Sequence, residues 1–519
     1  FSIGNDGTGT CTVKNNASLT KTGGDFNISD VGTSTGTLNI QDNGTVTAGG
    51  VVFVGKNNGT TGTVNMDGGT FNTNTYITIG RGAGSVGVFN MNGGTINQTD
   101  PNAGLAVGEQ GNGTFNLNGG SINVGGGGFY ITTETTTTGV GVANLNGGTL
   151  TAKRVTARDG TSGTSTLNLN GTLLVAGTDA SPDFISNLDN IFVKSGGAKI
   201  DSNGQNIAIG QTLLEGTGGG GLTKTGAGTL ALNGANTYTG ATTVNAGALG
   251  GTGSVAGPLL VSASATIAPG ASAGTFTAGA TTIAGTYACE IDGNNCDKLV
   301  SNGTLDISAA TLAITQINPA SGSPLVIASY TGATPAPFAS VSGIPSGYTL
   351  DYSYGGNSIA LIQTATPYST WINGFTSIPA GDRDPGDDPD GDGVSNIAEF
   401  ALNGNPASGA STGKVVGKVA GVGGNPTLVL TLPVRSGASF SGSTEQVSTL
   451  IDGVIYHIQG SDQLSVWDLA VSEVLGTDKT TIESGLPALD SGWTYRTFQS
   501  PGGVSGDSAD FLRAVIESP

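Results

Sequence analysis

The nine residues VFNMNGGTI, at positions 88–96, have close copies on either side of them in the chain. TVNMDGGTF occupies positions 63–71, and TFNLNGGSI occupies positions 114–122. When all such copies are aligned, one position recurs at steps of 27, 26, 25, 26, 28 and 24 residues. A period in the mid-twenties with one short alternating strand per unit is typical of a solenoid, whose coils stabilise one another. The recurring position holds Thr12, Asn39, Asn65, Asn90, Asn116, Asn144 and Asn168.

Strand alternation predicts which side chains of each repeat face the interior. The residues before and after the recurring asparagine are apolar and share one face, so the asparagine points the other way. A second strand per unit is marked by FSIG, VFVG, ITIG and LAVG, and Gly- and Asn-rich turns separate the strands. We interpret the pattern as a parallel β-helix and assume a right hand, which the sequence does not specify. The two inward columns are Cys11, Leu38, Val64, Phe89, Phe115, Ala143 and Leu167, and Val13, Ile40, Met66, Met91, Leu117, Leu145 and Leu169.

The composition excludes several classes of partner. The formal net charge is −19, although only 11% of the 519 residues are charged. An acidic surface repels nucleic-acid phosphate and anionic lipid, so we expect neither as a partner. The sequence has no apolar run long enough for a transmembrane helix, and we therefore expect no transmembrane segment.

The chain contains three cysteines. Cys289 and Cys296 bracket the residues EIDGNN, which have the composition of a hairpin turn. We expect these two cysteines to form a disulfide across the hairpin, the alternative being two free thiols. Cys11 lies in an inward column, which favours a small buried apolar residue over a reactive thiol.

From position 219 the repeat has a different sequence, GGGLTKTGAGTLALNGANTYTGATTVNAGAL. This stretch closely resembles the autotransporter-associated β-strand repeat, also called the passenger-associated repeat, of large secreted bacterial β-helix proteins. The resemblance extends to about residue 362 and implies further β-helix coils, a β-rich cap and an extracellular location. Because the chain as given ends FLRAVIESP, without the barrel of the best-known autotransporters, it resembles the barrel-less members encoded by Verrucomicrobia and Planctomycetes.

A different motif, DPDGDGVSNIAEF, begins at position 388. Its acidic residues and its second glycine fall at positions 1, 3, 5, 6 and 12 of the EF-hand loop, which binds calcium through six to eight oxygens. Short helices are expected on both sides of the loop. The predicted calcium ligands are Asp388, Asp390, Asp392, the carbonyl of Val394, Asn396 and Glu399.

Three further acids precede this loop. Asp382, Asp384 and Asp387 are candidates for a second, looser ion. For the loop at 388–399 itself, the alternative to a calcium site is a solvated acidic loop. The role expected for calcium is to stiffen the segment, because the ion binds only two short helices, and the alternative is a conformational switch.

The remaining chain reads as alternating strands that predict a β-sandwich. The expected fold class is therefore all-β, with four parts: a parallel β-helix solenoid at 1–285, a β-rich cap at 286–365, an EF-hand-like calcium segment at 366–412 and a C-terminal β-sandwich at 413–519. The single histidine, His457, lies in a strand of the last part without a partner motif, which favours a structural role.

Three classes of function are compatible with a β-helix. An enzyme acting on polysaccharides is the least favoured, because the basic cluster of Lys153, Arg154 and Arg158 has no acidic pair facing it in the alignment. The favoured interpretation is an extracellular surface fibre whose subunits stack head to tail. It depends on Phe1 being the mature start, since the first coil then exposes strand edges that another copy must cover. The alternative is a monomeric adhesin or stalk that binds cell-surface glycans or other cells.

Overall fold

The computed structural model describes residues 1–133, 139–158, 163–502 and 510–519. It divides the chain into two compact units, residues 1–363 and residues 364–519. The first is a parallel β-solenoid, as the repeat predicts, and the second is β-rich, with three short α-helices among its described residues. No helix within the described ranges is both long enough and apolar enough to cross a membrane.

Successive coils of the solenoid pair through parallel strands that form three long sheets. The 16-stranded sheet 1 consists of Ser2–Ile3, Phe26–Ile28, Val52–Val54, Ile77–Ile79, Gly104–Val107, Gly128–Ile131, Val155–Thr156, Asp183–Ser186, Ile207–Ile209, Thr229–Leu232, Gly247–Gly251, Ala265–Pro269, Thr286–Asp292, Asn295–Cys296, Thr311–Asn318 and Ser340–Ser342. The nine-stranded sheet 2 consists of Thr8–Val13, Thr35–Ile40, Thr61–Met66, Val86–Met91, Asn112–Leu117, Val140–Leu145, Thr164–Leu169, Asn190–Val193 and Leu214–Glu215. The 13-stranded sheet 3 consists of Ser18–Lys21, Thr45–Ala48, Thr70–Thr73, Thr95–Gln98, Ser121–Asn123, Thr149–Ala152, Leu173–Ala176, Ala198–Asp201, Leu222–Thr225, Thr242–Val244, Leu259–Val261, Thr281–Ile283 and Leu305–Asp306.

A fourth sheet begins beyond the last strand of sheet 2 and completes the first unit. Its pairing changes from parallel to antiparallel at its end, where Leu325–Ser329 meets Ser358–Gln363. Parallel pairing in sheet 1 nevertheless continues as far as Ser340–Ser342. The seven strands of sheet 4, in spatial order, are Ala235–Asn236, Ser254–Val255, Thr275–Ala278, Lys298–Ser301, Leu325–Ser329, Ser358–Gln363 and Tyr348–Tyr354.

The predicted alignment is confirmed in sheet 2, residue for residue. Asn65 pairs with Asn90, and Asn90 pairs with Asn116 on the next coil. From Asn65 to Asn168 the side chains of this column form a ladder in which each amide nitrogen donates to the amide oxygen of the coil before, as from Asn116 to Asn90 at 2.8 Å. The ladder satisfies polar groups that parallel stacking brings together at every coil.

The interior contains the apolar columns that strand alternation predicts. Phe89, Met91 and Phe115 have no exposed surface. Phenylalanine rings stack from coil to coil, with ring centroids 5.6 Å apart between Phe89 and Phe115. Cys11 is only partly buried, contrary to the expectation of a buried residue, because its strand has a single neighbour, Thr35–Ile40.

Glycine recurs within the sheet 2 strands for a steric reason. A Cβ atom at Gly113 would collide with the backbone of Gly108 and with the carbonyl oxygen of Ile79. The same position on the preceding coil is Gly87, which is enclosed in the same way by Gly80 and Val54. The strand and the turn before it therefore approach too closely for any side chain.

The two cysteines expected to form a disulfide are free thiols in the structure. The hairpin does form, but its register pairs Cys296 with Ile291 and not with Cys289. The sulfur atoms face different carbonyl oxygens, Cys289 that of Asp297 at 3.6 Å and Cys296 that of Val326 at 3.4 Å. Burial raises the pKa of both thiols, that of Cys296 to about 11, so both are protonated near neutral pH.

The second unit contains two four-stranded antiparallel sheets around one apolar core. Leu432 and Phe498 from one sheet, and Tyr456 and Ile458 from the other, are buried in that core. The α-helices are Pro367–Asn373, Asn396–Ala401 and Gly476–Glu483, and Ala380–Asp382 forms a single 3-10 turn. Sheet 5 has the order Val416–Val422, Asn425–Arg435, Trp493–Gln499 and Ser472–Glu473, and sheet 6 the order Phe440–Ser441, Gln446–Ser448, Ile455–Ser461 and Phe511–Glu517.

Candidate metal site

The acidic loop lies between two short helices of the second unit. The helix Pro367–Asn373 begins at a capping box in which Thr366 and Ser369 satisfy each other's backbone amides. The helix Asn396–Ala401 follows the loop and carries Asn396 and Glu399. The rings of Tyr368 and Phe400 meet edge to face, with centroids 5.5 Å apart, so the helices hold the two ends of the loop.

The structure brings together three of the predicted ligands. One carboxylate oxygen from each of Asp388, Asp390 and Asp392 lies within 4.8 Å of the other two. The carboxylate of Asp388 accepts hydrogen bonds from the amides of Gly391 and Gly393 at 2.9 and 2.8 Å. This fold of the backbone requires left-handed φ angles of +74° at Gly391 and +88° at Gly393.

The other predicted ligands lie around this cluster without joining it. Glu399 is outside the group of three close carboxylates, although it is 5% exposed and its Oε1 accepts from the amide of Asn405 at 3.0 Å. Asn396 is fully buried, and its amide nitrogen donates to the carbonyls of Asp382 and Asp384. Val394 is 37% exposed, and its amide donates to Asp392 at 2.8 Å.

Unpartnered buried oxygens concentrate in this loop. Six buried side-chain polar atoms of the described residues lack a hydrogen-bond partner, and three of them are Asp390 Oδ2, Asn396 Oδ1 and Glu399 Oε2. Buried acceptors without donors are costly in a folded protein, and a cation is one way to satisfy several of them. The donor set of carboxylate and amide oxygens therefore fits a hard cation such as calcium.

Electrostatics lead to the same conclusion for Glu399. Burial, together with the nearby carboxylates of Asp390 and Asp392, raises the pKa of Glu399 to about 7. Crowded carboxylates repel one another when ionised, and a cation between them removes that repulsion.

The upstream acids form no second carboxylate cluster of this kind among the described residues. The carboxylate of Asp387 accepts from the amide of Asp384 at 2.8 Å, while Asp382 and Asp384 offer their carbonyls to Asn396. These groups brace the start of the second helix, and a looser ion here stays a prediction.

Arg383, which the sequence analysis did not single out, connects several parts of this segment through hydrogen bonds. Its guanidinium donates to the carbonyl of Ile378 at 2.7 Å and to the side chain of Asn373 at 3.0 Å. Its own carbonyl accepts from the hydroxyl of Tyr368 at 3.0 Å. The sequence feature that could have pointed to Arg383 is its position as the one basic residue among the acids of GDRDPGDD.

Other candidate residues lie elsewhere. His457 lies between two carboxylates, with Glu517 at 2.9 Å and Glu445 at 3.5 Å. Lys153 pairs with Asp179 at 3.3 Å. The alignment gave no acidic pair facing the basic cluster; in the structure Arg154 and Arg158 line one cleft that Glu109 and Asp183 also line. Asp183 belongs to a coil whose length departs from the aligned repeat, so the alignment could not place it.

Comparison with known proteins identifies one segment of the chain. Residues 222–250 match the model of the passenger-associated transport repeat. This agrees with the predicted repeat at 219–249 and with the solenoid strands Leu222–Thr225, Thr229–Leu232 and Thr242–Val244. No curated protein matches the chain.

Proposed function

We propose that this chain is an extracellular bacterial structural protein of the autotransporter-passenger type, with a rigid solenoid and a calcium-stabilised second unit. The passenger-associated repeat at residues 222–250 supports export of the chain, and the parallel solenoid is consistent with a passenger. About thirteen coils at ~4.8 Å each give a scaffold about 60 Å long. We propose a structural role in preference to catalysis, since the site with the clearest chemistry is an oxygen-rich cation site.

The observation that carries the calcium proposal is the set of three unpartnered oxygens at Asp390, Asn396 and Glu399. Together with Asp388, Asp392 and the carbonyl of Val394, they supply the six ligand residues of an EF-hand-like shell. Bound calcium would supply positive charge that draws the loop carboxylates together. The acidic loop would then be closed around the ion, and it would fix the helix Pro367–Asn373 relative to the helix Asn396–Ala401.

The calcium proposal is tested by replacing Asp390 with Asn. Asparagine keeps an oxygen that can accept from the amide of Asp392, as Asp390 Oδ1 does at 3.2 Å, but it removes a charge from the site. We expect calcium to raise the melting temperature of the unmodified chain and a chelator to reverse the rise. In D390N the calcium-dependent rise should be smaller at the same calcium concentration, because the site keeps a ligand oxygen but has lost one of its three clustered negative charges.

Asp462→Asn is the matched control, since Asp462 is exposed and lies outside the acidic loop. It removes the same charge and should keep the full response to calcium. An equal response in D390N and D462N, or no calorimetric binding of calcium to the unmodified chain, would contradict the proposal.

Assembly into a surface fibre stays a prediction from the sequence, with a monomeric adhesin as the alternative. In the described chain the strands Ser2–Ile3, Thr8–Val13 and Ser18–Lys21 each form the end of a sheet. Electron microscopy of the purified chain distinguishes a filament from single particles.

A further inference from the structure

A long cleft lies on the outer face of sheet 1, within the first unit. Its floor is made by the outward-facing residues of six consecutive strands, and the cavity has a volume of ≈ 760 Å³. Five steps of ~4.8 Å make this floor about 24 Å long. The floor residues, in order along the solenoid, are Phe53, Thr78, Ala106, Tyr130, Thr156 and Ser186.

Three arginines and two acids, Glu109 and Asp183, are among the described residues that line the cleft, so these side chains carry a small net positive charge in an acidic protein. Residues 1–363 contain three arginines, Arg81, Arg154 and Arg158, and all three line this cleft. Among the described residues, no carboxylate pairs with the guanidinium of Arg81 within 4.0 Å, and its cation lies 5.2 Å from the ring centroid of Phe53. Arg81 therefore keeps its hydrogen-bond donors available for a bound anion.

The centre of the floor is a fixed pair formed by Tyr130 and Arg154. The hydroxyl of Tyr130 donates to the carbonyl of Gly127 at 2.5 Å and accepts from Arg154 at 3.3 Å. Two glycines make room for the pair. A Cβ at Gly104 would lie 3.0 Å from the ring of Tyr130, and one at Gly128 would lie 2.7 Å from the side chain of Arg154. The aromatic ring and the cation are thus pre-organised, which lowers the entropic cost of binding.

The chemistry of the cleft favours one class of occupant. A peptide that adds as a β-strand needs a free sheet edge, whereas this floor is a sheet face whose backbone groups pair between coils. Guanidinium groups bind carboxylates and sulfates in bidentate fashion, and flat aromatic surfaces such as the rings of Tyr130 and Tyr76 pack against the C–H faces of sugars. Asp183, which also lines the cleft, offers acceptors for sugar hydroxyls.

We propose that this cleft binds an anionic oligosaccharide, with its acidic groups on Arg81, Arg154 and Arg158 and its sugar rings along the floor beside Tyr130. This site is independent of the acidic loop in the second unit, and it goes beyond the structural role proposed above. The proposal names the class of ligand for this cleft, an anionic oligosaccharide.

The test is isothermal titration of the full chain with hexagalacturonate and with its methyl ester, in millimolar calcium and again with a chelator. The two sugars share rings and length but differ in charge. We expect the acid to bind and the ester to bind at least tenfold more weakly, with the same result in both buffers. A heparin-derived hexasaccharide in a parallel titration distinguishes carboxylate from sulfate as the preferred anionic group.

Arg81→Gln is the decisive variant, and Lys199→Gln is its control. Lys199 is an exposed residue of the sheet 3 strand Ala198–Asp201, so its replacement removes one charge from the same unit outside the cleft. We expect R81Q to weaken binding of the acidic sugar about tenfold, as loss of a charge-assisted pair would, and K199Q to leave it unchanged.

Three outcomes would overturn the proposal. They are equal affinity for the acid and its ester, equal loss in R81Q and K199Q, and tighter binding of hexaglutamate than of either anionic sugar. The calcium proposal is tested by the melting temperature of D390N and the cleft proposal by sugar titration of R81Q, so one can fail while the other is still tested. Circular dichroism and melting of each variant establish that it is folded.

Discussion

At the residue scale, the asparagine of each repeat is explained by a ladder of hydrogen bonds. Asn116 donates to Asn90 at 2.8 Å and accepts from Asn144 at 2.7 Å, so it needs both a donor and an acceptor. An amide offers both, whereas an ionised carboxylate only accepts, which explains why the repeat uses asparagine and not aspartate.

We therefore expect Asn116→Asp to destabilise the solenoid by about 1–3 kcal/mol, because a carboxylate facing the amide oxygen of Asn90 replaces a hydrogen bond with repulsion. The measurement is hydrogen exchange of the sheet 2 strands on either side, which reports local stability. Asn357→Asp, in an exposed turn, is the control and should change exchange little. Unchanged exchange around Asn116 would show that the ladder contributes nothing.

Lys224 is a residue that strand alternation alone would have misjudged. It is fully buried in a column between Ile200 and Val244. Its ammonium group donates to the carbonyls of Thr225, Gly226 and Ala246 at 2.8, 2.7 and 3.1 Å. Burial, opposed by the nearby carboxylate of Asp201, lowers the pKa of Lys224 to about 8.

This lowered pKa predicts a pH dependence of stability. Between about pH 8 and the ordinary lysine pKa near 10.5, the unfolded chain holds a proton that the folded chain has released, so the free energy of unfolding rises with pH. We expect Lys224→Met to remove this component of the rise in melting temperature between pH 7 and pH 9.5. Lys199→Met, at an exposed position, should keep it. The same pH slope in both variants would contradict the assignment.

At the element scale, each strand of the solenoid is stabilised chiefly by its stacked inward side chains. Phe89 lies 6.4 Å from Phe71 and 5.6 Å from Phe115, measured between ring centroids, and it has no exposed surface. One coil buries too little to fold alone, so removal of one ring weakens the coils on both sides.

We expect Phe89→Ala to destabilise the solenoid by about 3–5 kcal/mol, since a large buried side chain leaves a cavity. Val86→Thr on the same strand is the control, because Val86 is 38% exposed and faces outward. The midpoint of chemical denaturation, followed by circular dichroism, measures both. A similar small shift in the two variants would show that the stacked rings are not what holds the coils together.

The elements also show what can be predicted from the sequence and what cannot. The stacking of the coils can be predicted from the sequence, because the repeat places Asn90 opposite Asn116 regardless of the conformation of the turns between them. The Asp388–Asp392 cluster is equally local, since spacing alone brings its carboxylates together. The cleft is not local: Arg81 and Arg158 follow different sheet 1 strands, and no repeated letter marks them. The disulfide expected between Cys289 and Cys296 does not form because the hairpin register pairs Cys296 with Ile291, and the sequence does not specify that register.

At the scale of the whole molecule, the two units are stabilised by different means. The solenoid depends on repetition, with polar ladders and apolar columns that each new coil extends. The second unit depends on a mixed core around Phe400 and Tyr456 and on an acidic loop whose oxygens are incompletely satisfied. Calcium removal should therefore affect the second unit selectively and leave the solenoid strands protected.

The fibre prediction belongs to this scale as well, and the chain of 519 residues can test it directly. A parallel solenoid extends when a strand is added to each of its sheets at once, so copies that stack in register would continue the three sheets. We expect the purified chain to form filaments in negative-stain electron microscopy as its concentration rises, each subunit adding one fixed repeat length. If the second unit takes part in the contact between copies, D390N or a chelator should shorten the filaments while D462N should not. Single particles of constant length at every concentration would instead favour the monomeric adhesin, with the arginine-lined cleft as its binding site.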